Sequence, residues 1–190
     1  MRLTLPLVAA LMLAAAPAHA QAKAQAHGGH FRITSPDIKA GSRIAARYVF
    51  NGMGCTGENV SPTLQWSGAP AATKSFAVTV YDPDAPTGSG FSHWVVYNIP
   101  ASTTSLPAGA GGSNGSLPSG ATQGITDFGQ PGYGGPCPPA GDKPHRYIFT
   151  VFALKVDHLD LPASATPAYV GFNLYGNMLA KTTFTARYSR

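Results

Sequence analysis

Residues 75–81 alternate in hydrophobicity, with Phe76, Val78 and Val80 on one side and Ala77, Thr79 and Tyr81 on the other, which is the period of a β-strand. Continuing that period places Asp82 beside Val80. A second apolar run, His93–Ile99, stops at Pro100, and its period groups His93, Val95, Tyr97 and Ile99. The longest run, Arg146–Val156, sets His145, Tyr147, Phe149 and Val151 on one face. Upstream, Arg43–Phe50 is rich in β-formers and ends at the turn dipeptide Asn51-Gly52, and a last strand is predicted over Thr182–Tyr188. One helix stands out: Thr166 can cap it, Pro167 suits its first position, and Val170, Leu174 and Met178 recur on one face. Short strands, turns rich in Gly and Pro, and a late C-terminal helix together predict a mainly β fold of antiparallel sheets in a sandwich-like arrangement. Pro100–Gly120, rich in Ser, Thr, Gly and Pro, reads as a long surface loop of low order. Taken as a domain linker it would leave two halves too small for good cores.

The first twenty residues change the picture of where this fold works. Arg2, an apolar run over Leu3–Ala16, and Ala18-His19-Ala20 follow the pattern of a cleaved signal peptide, residues 1–20. That run falls short of the roughly 20 residues a membrane span needs, and no later stretch replaces it. The expectation is an exported protein, periplasmic or secreted and not transmembrane. Residues 21–30 lack apolar periodicity and read as a disordered lead-in, with His27 and His30 part of a loose tract rather than a metal site. Residues 31–190 then form a single domain. The net charge of +5 arises because acids are few, and the Lys and Arg residues are scattered. No basic stripe with interleaved aromatics is present, which sets nucleic-acid binding aside. Cys55 and Cys137 are the only cysteines. In an exported protein the pair reads as a disulfide joining the loop after Phe50 to the loop before His145, the alternatives being a reactive thiol or a metal ligand.

Ionisable groups are scarce, so where they gather is informative. Asp82-Pro83-Asp84-Ala85-Pro86 is followed by His93-Trp94 and, far downstream, by Pro138-Pro139 and His145-Arg146-Tyr147. Both halves end a loop and open an apolar strand, so they can meet at one rim and build a small polar pocket. Imidazoles and the Tyr147 hydroxyl donate hydrogen bonds to an anion, and backbone N–H groups over Gly132–Gly135 can form an anion-holding nest. Asp82 can fix the protonation of a nearby histidine or attract the cationic end of a zwitterion. Asp84 can cap backbone N–H groups of its own loop. Arg146 reads either as a phosphate contact or as a structural ion pair with Asp82 or Asp84. Each motif also has a plain structural reading, since Asp-Pro sequences form turns and a lone strand-start histidine is commonly a satisfied structural group.

Taken in order, Asp82-Pro83-Asp84-Ala85-Pro86, His93-Trp94-Val95-Val96 and the segment Gly135–Tyr147 (GPCPPAGDKPHRY) resemble the phosphatidylethanolamine-binding protein family, in particular its bacterial Raf-kinase-inhibitor-like branch. The resemblance runs from about Phe31 to Arg190. It implies a large antiparallel sheet packed against a smaller one, with a shallow anion pocket at one end. The pocket would contain Asp82, His93, Pro138, Pro139, His145 and Tyr147. It further implies a binding protein for small phosphorylated ligands or lipid headgroups, with no catalytic residues, no metal and no cofactor; some relatives inhibit kinases or serine proteases. Only Thr87–Ser92 separates the first motif from His93, where animal relatives have a longer insertion, and Phe91 stands for their aromatic wall. Two other readings stay open. One is an inhibitor or host-interaction protein acting through Thr87–Ser92 and Pro100–Gly120. The other is a hydrolase with His93 or His145 as general base and Asp82 as its orienter, which lacks a Gly-x-Ser-x-Gly elbow. A metal-dependent version with Asp82 or Asp84, His93 and His145 as ligands lacks a recognised spacing.

Overall fold

The computed structural model describes residues 30–190. The segment predicted as a signal peptide and nearly all of the predicted lead-in, including His27, lie outside the described residues, while His30 is exposed. The strands are β1 (Arg32–Thr34), β2 (Asn51–Gly52), β3 (Cys55–Thr56), β4 (Leu64–Ser67), β5 (Ser75–Asp82), β6 (Phe91–Pro100), β7 (Ser105–Leu106), β8 (Thr122–Gln123), β9 (His145–Leu154) and β10 (Met178–Tyr188), with helix α1 (Pro167–Asn177) between the last two. A five-stranded sheet runs β10-β9-β5-β6-β8, a three-stranded sheet runs β1-β4-β7, and β2 pairs with β3. The pairings between these strands are all antiparallel.

The alternation of β5 explains how the layers stack. Phe76, Val78 and Val80 face the small sheet and share a core with Ile33, Leu64, Trp66, Leu106, Phe149 and Val151. Ala77, on the opposite face, packs with Val95, Phe152 and Leu154 beneath Val170 and Leu174 of α1. The large sheet is therefore covered on one face by the small sheet and on the other by the helix, and its central strands are buried on both. Each fully buried Val, Leu or Phe contributes about 1.5–3 kcal/mol by leaving water. The Thr166 Oγ1 cap accepts from Tyr169 N at 3.2 Å, as its position predicts.

Several predicted boundaries move, each for a local reason. Arg43–Phe50 is no strand. Its start pairs with β10 only through the isolated parallel bridge Arg43–Arg187, a 3₁₀ turn follows at Ala46–Tyr48, and Phe50 N donates to Pro136 O at 3.1 Å, so the segment leaves the sheet edge before a strand can form. Met178 leaves the helix and begins β10, which at 11 residues is longer than the 10-residue β9. Pro100–Gly120 is more ordered than its composition suggests. β7 pairs there with β4, Leu106 and Ala110 are buried, and Ser61 Oγ accepts from Gly111 N at 2.9 Å.

The largest departure lies in β6, where two irregularities break the period. Val80 pairs with Trp94 and Tyr81 with Ser92, so His93 is the extra residue of a β-bulge. The register also shifts between Phe76, opposite Ile99, and Val78, opposite Val96, and here Asn98 adopts a left-handed φ of 58°. Val95 and Tyr97 remain on the helix side, whereas Ile99 joins the inter-sheet core and His93 packs on Tyr147. The predicted common face of His93, Val95, Tyr97 and Ile99 is thereby split.

Candidate functional site

At the end of the large sheet where β5 stops and β9 begins, a cavity of about 330 Å³ opens. Its walls include all six residues singled out in the sequence: Asp82, His93, Pro138, Pro139, His145 and Tyr147. Each arrives by a separate device. Asp82 is the last residue of β5, His145 and Tyr147 are same-side residues of β9, His93 is turned inward by its bulge, and the two prolines belong to a loop held by the Cys55–Cys137 disulfide. The disulfide joins residues whose Cα atoms are 6.0 Å apart, and no free cysteine is present among the described residues.

The polar groups are heavily committed. Asp82 is 2% exposed. Its Oδ1 accepts from Asp84 N at 2.8 Å, closing the turn, and its Oδ2 accepts from His145 Nδ1 at 2.8 Å. On the other side of that ring, Nε2 faces Asp142 Oδ2 at 3.2 Å. Burial pulls the basicity of His145 down, but the hydrogen bonds and charges of Asp82 and Asp142 outweigh it and hold the pKa above the ordinary histidine value. A carboxylate oxygen faces each ring nitrogen, an arrangement that favours the doubly protonated ring. His93 is the opposite case. Burial lowers its pKa, and Nδ1–H donates to Gly134 O at 2.7 Å, which makes Nε2 the acceptor of a neutral ring.

Asp84 does not cap its own loop as expected. Asp82 does that, while Asp84 reaches across to β9, accepting from Arg146 N at 2.8 Å and from the guanidinium at 2.7 and 2.9 Å. The hydrogen bond from Arg146 lowers the Asp84 pKa to about 2. Of the two partners considered for Arg146, Asp84 is the one. The anticipated Gly132–Gly135 nest is also absent, because Tyr133 N goes to Gly111 O, Gly134 N to His93 O and Gly135 N to Asn59 Oδ1, each at 2.8 Å.

Beside these groups stands an aromatic box. His93 packs edge-on against Tyr147 at 5.2 Å and Phe128 at 5.5 Å, and Phe91 lies 5.1 Å from it. Phe128 in turn stacks on Phe50 at 4.5 Å. Phe91 is visible in the sequence as the aromatic before the histidine. Phe128, Met53 and Arg190, which also line the cavity, carry no motif and were missed. The Tyr147 hydroxyl is buried and makes no hydrogen bond of good geometry, although Asp82 lies close enough to act as a weak acceptor; burial, the Asp82 charge and that approach raise its pKa far above the usual phenol value. A buried donor left wholly unpaired costs roughly 1–3 kcal/mol, and a ligand acceptor entering the cavity would recover whatever part of that Asp82 does not. Among the described residues, no group of three or more His, Cys, Asp or Glu is arranged to hold a metal ion. No helix among them is long and apolar enough to cross a membrane.

Comparisons with known proteins agree with this fold. The family model described as phosphatidylethanolamine-binding protein matches residues 34–189. The UPF0098 protein YbcL of Escherichia coli is 52% identical over 164 residues, spanning 86% of this chain and 90% of that protein. The UPF0098 protein YbhB of the same organism is 51% identical over 158 residues, spanning 83% of this chain and 99% of its own. The crystal structure of E. coli YbcL, described as a member of the mammalian PEBP family, superposes with a TM-score of 0.83 at 52% identity and covers 85% of this chain and 99% of that one.

Proposed function

Because this chain belongs to the phosphatidylethanolamine-binding protein family, as a bacterial member, we propose that its cavity holds a phosphate or a similar anion carried on a small molecule or a lipid headgroup. The observation that carries this reading is the buried Tyr147 hydroxyl, which makes no hydrogen bond of good geometry within the protein, in a cavity that also gathers Asp82, His93, His145, Pro138 and Pro139. Phe91 and Phe128 supply apolar contact for whatever bears the anion, which fits a site with few polar groups on an aromatic wall. We place the protein outside the cytoplasm, in the periplasm or beyond it. The signal-peptide pattern over residues 1–20 and the Cys55–Cys137 disulfide support export. A hydrolytic role has less support, since Cys137 in the cavity wall is oxidised and His145, ion-paired on both sides, is a poor general base.

The test is an NMR titration of the disulfide-intact protein with phosphate, phosphoethanolamine and phosphotyrosine, following the imidazole signals of His93 and His145. Saturable shifts at both, abolished in His93→Ala, are expected. Absence of any shift with all three ligands would overturn the reading and move the search for function to the surface loops.

A further inference from the structure

The cavity has a charge problem that its family-matched residues do not solve. Among its side chains, His145 is engaged by Asp82 at 2.8 Å, and His93 spends its Nδ1–H on Gly134 O at 2.7 Å. Asp142 approaches His145 from a neighbouring cleft and adds a negative charge just behind the wall. Lys143 and Arg187 line that same cleft, so the charge behind the wall is mixed, but within the cavity itself an anion meets no unpaired cation unless a further one faces it. One does: Arg190 lines the same cavity.

Its position is built. Arg190 Nε donates to Pro138 O at 2.7 Å, which anchors the guanidinium on the proline wall and leaves Nη1 and Nη2 without a hydrogen-bonded acceptor among the described residues. No carboxylate pairs with it there either. On the other side lies Gly54, whose φ of +81° suits glycine. A Cβ at Gly54 would come within 2.9 Å of Nη1, so the missing side chain leaves room for that end of the guanidinium beside the β2–β3 turn. The Cys55–Cys137 disulfide ties together the two segments that hold Arg190, one next to Gly54 and the other next to Pro138.

We propose that Arg190 is a specificity-determining residue of this cavity, selecting doubly charged phosphate monoesters over singly charged diesters; the proposal rests on the anion-pocket reading above. A guanidinium anchored through Nε presents its two terminal nitrogens as a fork that matches two phosphate oxygens. A monoester carries close to two negative charges at neutral pH, so one can meet Arg190 while the other oxygens meet Tyr147. A diester has one charge and one free oxygen pair, and gains correspondingly less.

The experiment is calorimetric and NMR titration of the full chain with methyl phosphate and dimethyl phosphate, in wild type, Arg190→Gln and Arg190→Lys. Wild type is expected to prefer methyl phosphate and to show saturable shifts of the Arg190 Nε and Nη signals with it. Arg190→Gln should weaken methyl phosphate binding about 10- to 100-fold, the range of a charge-assisted hydrogen bond, with a clearly smaller loss for dimethyl phosphate. Arg190→Lys, which keeps the charge and loses the fork, should fall between. Unchanged selectivity in Arg190→Gln, or equal losses for both esters, overturns the proposal and leaves the anion pocket standing. Should Arg190→Gln not fold, unshifted Arg190 signals in wild type at saturating methyl phosphate would overturn it equally. Wild-type protein that binds neither ester overturns the pocket reading and this inference with it.

Discussion

His145 Nδ1 and Asp82 Oδ2 meet at 2.8 Å, with both side chains almost wholly removed from solvent. The pair joins the end of β5 to the start of β9 and is one boundary of the cavity. A buried charge pair of this kind is destabilising when one partner is removed, because the other is left uncompensated.

The first prediction concerns pH. The folded-state pKa of His145 is raised, so the stability it contributes is fully present below the unfolded value of about 6.5 and is lost as pH rises through the folded pKa. His93 has the opposite sign: its pKa is lowered, so its contribution is present above about 6.5 and is lost as pH falls through the folded value. Asp82→Asn should shift the His145 titration downward and remove the high-pH loss of stability. NMR titration of both rings, with urea midpoints from pH 5 to about 9, checks this; an unmoved His145 pKa in the variant contradicts it.

Tyr147→Phe should separate folding from binding. Removing a buried hydroxyl that is at best poorly paired with Asp82 is expected to leave the stability of the ligand-free protein unchanged or raised by up to about 1 kcal/mol. The same change should weaken phosphate binding, since the ligand loses its donor. Urea unfolding together with calorimetric titration measures both, and a loss of stability in the free variant would show that the hydroxyl is satisfied in solution.

Reduction of the disulfide, or the double change Cys55→Ala with Cys137→Ala, should destabilise the protein by about 2–4 kcal/mol, because the bond closes a long loop in the unfolded chain. Anion affinity should fall as well, since the β2–β3 turn and the Pro138-Pro139 loop lose their shared anchor. Equal affinity before and after reduction would show that these walls stay in place unaided.

Gly134→Ala tests the aromatic box. A Cβ at this position would lie 2.1 Å from the Phe128 ring, so the ring must leave its stack on Phe50 and its contact with His93. Overpacking of this kind costs about 1–3 kcal/mol, and the His93 ring signals should shift even without ligand. Unshifted His93 signals would mean that Phe128 yields without disturbing the box.

Much of the architecture was legible because strands announce themselves by alternation and helices by caps. The faces of β5 and β9, the Thr166 cap and the inward placement of His145 and Tyr147 follow from period and position alone. Arg43–Phe50 misled because β-forming residues also suit a chain that leaves the sheet edge and satisfies its backbone elsewhere. Phe128 and Arg190 were invisible for another reason: neither belongs to a local pattern, and each reaches the cavity through partners distant in sequence, Phe50 for one and Pro138 for the other.

The sequence by itself determined the long strands β5, β6 and β9, the start of helix α1, the cysteine pair and the identity of six cavity residues, since these depend on local period, turn chemistry and ordered motifs. Tertiary structure alone decided which way His93 points, which aspartate holds Arg146, that the glycine segment spends its N–H groups on the protein, and that Arg190 joins the cavity. Those outcomes are set by register between strands and by competition among distant donors and acceptors, and a bulge of one residue reverses a side chain without altering the hydrophobic pattern around it.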